Sequence, residues 1–187
     1  MTLFIKNMVC LRCKMTVEVE LKKLGFDSLS IELGELVFKD SLTENDVKSI
    51  ENALKLYGFE VIMDKRSQII EQIKTAAIDY VFEKNEAHQR LNFSDFLEKR
   101  LLKDYTYLSN LFSEIEGITI EKHLINLKIE RVKELLVYDE MTLSEIAFQV
   151  GYSSVAHLSN QFKKITGLTP TYFKSIKDKK RLSIEDV

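Results

Sequence analysis

The chain has 187 residues, 45% hydrophobic and 30% charged, the mix of a folded soluble protein, with room for one large domain or two small ones. Its 27 Lys+Arg against 29 Asp+Glu leave a net charge of −2, so any affinity for nucleic acid must come from local clustering. Two cysteines exclude a disulfide scaffold, no run approaches the roughly 20 apolar residues that span a bilayer, and the opening MTLFIKNMVC lacks a basic leader with a long apolar core, so a cytoplasmic location without membrane contact is expected.

Proline occurs once, at Pro170, and glycine six times, so long helices are permitted and each glycine acts as punctuation. Leu3-Phe4-Ile5 reads as a strand. Met15, Val17, Val19, Leu21 and Leu24 fit a helix stopped by Gly25, although Val17 and Val19 also alternate as in a strand. Phe26 to Leu33 and Leu36 to Phe38 read as two strands joined around Gly34. Thr43, followed by Asp46, opens a helix with a capping box; Val47, Ile50, Leu54 and Tyr57 mark its inner face, Tyr57 and the other aromatics being expected in the core. Gly58 ends that helix, and Phe59, Val61 and Met63 alternate as a last strand. The order β-α-β-β-α-β is the ferredoxin-like, or split βαβ, pattern. After Asp64 the strand signals cease. Ile69, Ile70, Ile73, Ala77, Tyr80 and Val81 make an amphipathic helix, and helices joined by short turns follow to Lys177.

An internal repeat is the strongest signal. Leu108-Ser-Asn-Leu-Phe-Ser-Glu-Ile-Glu-Gly-Ile-Thr119 recurs 50 residues later as Leu158-Ser-Asn-Gln-Phe-Lys-Lys-Ile-Thr-Gly-Leu-Thr169, with seven of 12 positions identical. Upstream, Phe93-Ser-Asp-Phe-Leu97 lies over Leu143-Ser-Glu-Ile-Ala147. Each unit reads as a capped helix, a tight turn and a second helix closed by glycine: a helix-turn-helix, present twice. In the second unit Thr142 or Ser144 caps the first helix, Gly151 supplies the turn, and Ser153 or Ser154 caps the next. In the first unit Leu101 falls where Gly151 does, and Asp104 takes the capping role, so that turn is expected to differ in shape. The connecting helix, Ile120 to Val137, spans roughly 27 Å, which could set two recognition helices about 34 Å apart, one turn of duplex.

Glu145-Ile-Ala-Phe-Gln-Val-Gly-Tyr-Ser-Ser and the run from Leu158 to Lys174, with its Thr-Gly-Leu-Thr-Pro close, resemble the signature of the AraC/XylS transcription regulators. The resemblance covers about residues 68–176. Lys128, Val132 and Lys174 stand where that family often has Arg, Ala and Arg. The expected fold class is therefore an α+β, ferredoxin-like βαββαβ domain at residues 1–65, an all-α double helix-turn-helix domain at 66–177, and a basic, polar tail at 178–187.

Charge is partitioned accordingly. Residues 1–65 carry nine basic and eleven acidic groups, whereas residues 151–181 carry seven basic groups against one acidic, the footprint a groove binder needs. On the second recognition helix Leu158 and Phe162 turn inward, leaving Val155, Ala156, Ser159, Asn160, Lys163 and Lys164 outward. Asn can bridge two atoms of adenine, Ser can serve base or phosphate, and Val or Ala can touch a thymine methyl. The equivalents on the first are Thr106, Tyr107, Ser109, Asn110 and Ser113; Glu114 and Glu116 make its far end acidic. The resemblance implies that bases are read at these positions. Some of Lys122, Lys128, Arg131 and Lys133, on or near the connecting helix, are expected to meet phosphates, and Arg131 and Lys174 are counted among the DNA-binding residues.

Cys10 and Cys13 open the first helix and can point to one spot. The helix dipole and Arg12 or Lys14 favour thiolates, which suit a soft monovalent ion such as Cu(I) or another thiophilic metal. A redox dithiol is the rival. His88, His123 and His157 lie outside this domain, so no zinc set is evident. Residues 2–64, through Met8, Cys10, Cys13 and the strand–helix order, resemble a heavy-metal-associated domain. Asn7 and Val9 replace the Gly and Thr usual there, and Phe59 falls where that family covers the metal. Met8 reads as packing beneath the loop. The sequence thus points to a non-enzymatic, sequence-specific regulator that binds double-stranded DNA, acts as monomer or homodimer, has RNA polymerase as a candidate partner, and responds to a thiophilic metal. The alternatives are a constitutive DNA binder whose first domain is a scaffold or dimerises, and a metal carrier or thiol–disulfide protein.

Overall fold

The computed structural model describes residues 1–82 and 91–180, without the side chains of 28, 29 and 177–180. It divides into two compact units, Met1–Asp79 with Phe93–Ile115, and Tyr80–Asn92 with Glu116–Val187. None of its helices is long and apolar enough to cross a membrane.

The first unit begins with β1 (Thr2–Lys6), α1 (Leu11–Lys23), β2 (Ser28–Glu32), β3 (Glu35–Phe38), α2 (Glu44–Lys55) and β4 (Glu60–Ile62). The strands form one antiparallel sheet in the order β2-β3-β1-β4, with Leu3 opposite Leu36 and Ile5 opposite Val61. Alternate residues Leu3, Ile5, Leu36, Phe38 and Val61 project from one face, where Val17 and Leu21 of α1 and Ile50 and Leu54 of α2 cover them. The capping box on α2 is present: Thr43 Oγ1 accepts from the Asp46 N–H, and Asp46 Oδ2 accepts from the Thr43 N–H at 2.8 Å. Of the two readings of the first long segment the helix is correct; Val17 is buried and Val19 exposed, as a helix allows.

Three expectations change here. Phe26 does not begin a strand. Its N–H donates to Leu21 O, closing α1, and its ring meets Phe38 edge-on at 6.4 Å. Tyr57 is 49% exposed because α2 has already ended; its hydroxyl donates to Glu20 Oε1 at 2.8 Å. In β4 the alternation fails, since Val61 and Ile62 are both buried and Met63 is 70% exposed. The cause is a cover on the second face of the sheet: α3 (Lys65–Phe82) meets it there, Gln68 Nε2 donating to Ile62 O and Gln72 Nε2 to Glu35 Oε1, both at 2.9 Å. Gly34, at φ +75°, lies so close to α3 that a Cβ would stand 2.9 Å from Thr75 Oγ1.

The same unit holds α4 (Phe93–Leu101) and α5 (Tyr105–Glu116). Arg100 pairs with Asp79, and Arg66 with Glu114, each at 2.6 Å, tying both helices to α3.

The second unit contains α6 (Ile120–Tyr138), α7 (Leu143–Gln149), α8 (Val155–Thr166) and α9 (Pro170–Lys180). Its core joins Ile129, Val132, Leu135 and Leu136 of α6 to Ile146 and Ala147 of α7 and Leu158 and Phe162 of α8. Phe173 of α9 closes the cluster, edge-on to Phe162 at 5.5 Å. Pro170 occupies the first position of α9, where a missing N–H costs nothing.

Candidate nucleic-acid interface

Each repeat unit is built by its own turn chemistry. In the second, Thr142 rather than Ser144 caps α7, in a capping box with Glu145, which holds that carboxyl below the usual range through bonds from the Thr142 hydroxyl and N–H. Gly151 takes φ +72°, and the Tyr152 N–H returns to Ala147 O at 2.8 Å. Ser154 rather than Ser153 caps α8, accepting from the His157 N–H at 3.1 Å. In the first, the turn differs in shape as expected: α4 runs two residues further than its counterpart, and the left-handed residue is Leu102, at φ +52° and 88% exposed, one step after the position equivalent to Gly151. Asp104 caps α5 as expected, Oδ1 accepting from Thr106 and Tyr107 N–H at 2.8 and 3.2 Å.

The second helices present matching faces. On α5, Leu108, Leu111 and Phe112 are buried, Thr106, Tyr107 and Asn110 are exposed, and Ser109 and Ser113 are half-buried. On α8, Leu158 and Phe162 are buried, Ala156, Asn160, Lys163 and Lys164 are exposed, and Ser159 is half-buried. Val155 departs from its expected exposure: it is half-buried and packs on the core of its unit. His157, overlooked in the sequence, is exposed on the first turn of α8, with Ser153 Oγ 3.3 Å from Nδ1 and the Tyr152 ring edge-on at 5.2 Å. The register that places Tyr107 on the first helix places His157 on the second, so the repeat itself carried the signal.

The remaining cations separate into free and engaged. Lys163 and Lys164 form no ion pair among the described residues and stand in the last turn of α8. Arg131 is engaged: its side chain is 16% exposed, Nη1 lies 2.6 Å from Glu134 Oε2, and its guanidinium lies over the Phe82 ring at 5.3 Å. Lys174 pairs with Asp139, the left-handed residue that ends α6, and Lys133 pairs with Glu130 at 2.7 Å. Lys122 is exposed. Lys128 rests over the Tyr152 ring at 5.5 Å, its Nζ 3.3 Å from where a Cβ on Gly151 would stand. Burial pushes its ammonium down and the Tyr152 hydroxyl up to about 12. Arg181 and the rest of the tail, His88, and the side chains of Lys177, Lys179 and Lys180 lie outside the described residues.

At the other end of the chain Cys10 is the N-cap of α1, and both Cys13 and Lys14 N–H donate to its carbonyl. The two Sγ atoms are 3.4 Å apart; Cys10 is exposed and Cys13 half-buried against the core. Hydrogen bonds from the Cys13 N–H and thiol lower the Cys10 pKa, aided by the neighbouring Arg12. Met8 is fully buried beneath the loop, and Phe59 belongs to the core. Among the described residues no group of three or more His, Cys, Asp or Glu could hold a metal, so any ion here would rest on the two sulfurs. Asn7 adopts φ +72°, a left-handed conformation that Gly takes freely and Asn tolerates, so its departure from the usual Gly leaves the backbone path possible.

Residues 97–175, from α4 into α9, match the family model described as a helix-turn-helix domain. An HTH-type transcriptional regulator of Staphylococcus aureus is 33% identical over 89 residues, 45% of this chain, and the chain spans 12% of that protein's length. The HTH-type transcriptional regulator YtdP of Bacillus subtilis is 21% identical over 155 residues, 82% of this chain and 20% of YtdP. Among solved structures, a DNA-binding transcriptional dual regulator from Escherichia coli superposes with a TM-score of 0.50 at 18% identity, over 60% of this chain and 94% of that one. The C-terminal domain of AraT, a response regulator from Geobacillus stearothermophilus, gives a TM-score of 0.50 at 24% identity, over 65% of this chain and 93% of that one. Those likenesses show a shared helical fold. Residues 97–175 thus form a helix-turn-helix domain.

Proposed function

We propose that the chain is a sequence-specific DNA-binding transcription regulator in which α5 and α8 are the reading helices. One observation carries the proposal: the duplicated motif exposes Asn110 and Asn160 at the same register, each beside a half-buried serine, above a buried Leu and Phe. The side chains Asn, Ser and Ala supply base-edge contacts, and Lys163 and Lys164, with no carboxylate paired to them among the described residues, supply phosphate contacts. Arg131 and Lys174 would reach a phosphate only by giving up Glu134 and Asp139, which ranks them below Lys163 and Lys164. The test is selection of duplexes from a random pool by the intact chain, followed by titration against salt. Asn160→Ala relaxes the selected sequence, whereas Lys163→Ala weakens all duplexes alike and lowers the salt slope by about 1. Failure to enrich any duplex contradicts the reading.

We further propose that the N-terminal part is a ferredoxin-like sensing domain, its element order and its β2-β3-β1-β4 sheet supporting that fold. The 3.4 Å approach of two sulfurs, one of them with a lowered pKa, suits two-coordinate thiolate binding of Cu(I). Cys10 and Cys13 would hold the ion, which supplies a charge and a crosslink across the start of α1. Competition for Cu(I) with a chromophoric chelator tests this: the intact chain takes one ion, and Cys10→Ser/Cys13→Ser takes none. Equal uptake by both overturns it.

A further inference from the structure

The loop that carries the dithiol packs on the core through Met8 and is hydrogen-bonded to the rest of its unit at Asn7. Asn7 follows β1 and precedes Met8, Val9 and Cys10. Its side-chain Nδ2 donates to Gly58 O at 2.9 Å, anchoring the loop to the turn before β4. Its backbone N–H donates to Glu71 Oε1 at 3.3 Å, anchoring it to α3. Glu71 is one of the two buried polar residues among those described; the other is Thr75, one turn further along α3. Both crowd Gly34, where a Cβ would stand 2.9 Å from Thr75 Oγ1 and 3.7 Å from Glu71 Cγ. The joint therefore has little slack: a left-handed Asn, a glycine that admits no side chain, and a buried carboxylate on a helix that also pairs, through Arg66 and Asp79, with α5 and α4 of the first helix-turn-helix.

We propose that Glu71 couples the Cys10–Cys13 loop to the DNA-binding half of the chain: ligation of Cu(I) by the thiols shifts the loop at Asn7, and the Asn7–Glu71 bond passes the shift to α3. This rests on the reading of the dithiol as a Cu(I) site. Glu71 is a positioning residue; it touches neither the metal nor DNA. A bond that loosens or tightens on ligation changes how readily the α3 backbone opens, so the coupling has a readout that needs no known operator.

The experiment follows amide hydrogen exchange in the full-length chain, with and without one equivalent of Cu(I), after chelator competition has established uptake. In the native chain Cu(I) changes exchange by about fivefold or more both at residues 8–14 and along 68–76 of α3. In Glu71→Leu, which deletes the acceptor yet keeps a side chain suited to burial, uptake and the change at 8–14 persist, and the change along α3 is lost. In Glu71→Gln, which retains a carbonyl acceptor, the change along α3 returns. The cysteine double variant shows neither change. An α3 response of the same size in Glu71→Leu, or none in a native chain that takes up the ion, overturns the coupling alone. Absence of Cu(I) uptake by the native chain overturns the metal reading and the coupling with it.

Discussion

The two helix-turn-helix units share a register and differ in how they hold it. Both bury a Leu and a Phe at identical steps, Leu108 with Phe112 and Leu158 with Phe162, and both expose an Asn between them. The second spends a glycine on its turn, a serine on its cap and two lysines on its last helical turn; the first has its left-handed residue one step later, at Leu102, an aspartate, Asp104, at the cap, and Ser113 and Glu114 where the lysines stand. The difference teaches that the motif is set by its inner face, while the turn and the charge are free to diverge. Under the proposed function it also divides the labour: phosphate contacts would fall to the second unit, through Lys163 and Lys164, and contacts through Thr106, Tyr107 and Asn110 to the first.

The largest effects should fall equally on the two units. Phe112→Ala and Phe162→Ala each remove a fully buried ring and cost about 3–5 kcal/mol in urea unfolding. A heavy loss at one and a slight loss at the other would break the equivalence. The turns should respond in opposite directions. Gly151→Ala places a Cβ in the left-handed region and costs about 1–2 kcal/mol, whereas Leu102→Gly relieves that strain at a residue with no packing to lose and stabilises by up to about 1 kcal/mol. The caps sharpen the comparison further. Asp104→Ala and Ser154→Ala each free N–H groups and cost about 1 kcal/mol by the same assay.

The smallest effect is a pH dependence. The Glu145 carboxyl has a folded pKa below its unfolded value of about 4.3, so the contribution of the α7 capping box is present above that value and fades as pH falls through the folded one. Thr142→Ala removes the bonds that cause the shift and flattens the stability profile in that acid window. An unchanged profile would show that the box has no such role.

Much of this was legible in residue spacing. The strands and helices of the first 64 residues, the capping box at Thr43, the cap at Asp104 and the burial of Met8 all follow from local chemistry. Several of the differences concern a neighbour distant in sequence. Nothing near Val61 announces that α3 covers the far face of the sheet and so buries Ile62. Nothing near Arg131 or Lys174 announces that Phe82 and Asp139 engage them, whereas Glu134, three residues beyond Arg131 on the same helix, is a local pair that the spacing does show. Val155 looked outward because helical spacing alone cannot tell a rim residue from an exposed one. The first turn, which lacks the glycine of the second, does differ in shape: α4 extends past the end its repeat partner keeps, and Leu102 takes the left-handed conformation.

Base-resolution footprinting of the intact chain on a duplex it has itself selected is the most direct test of the paired-reader account. Alanine variants at Asn110 and at Asn160 are compared with the native chain. The account predicts two separate protected segments, one weakened by Asn110→Ala and the other by Asn160→Ala. A single segment insensitive to one of the two substitutions would contradict it.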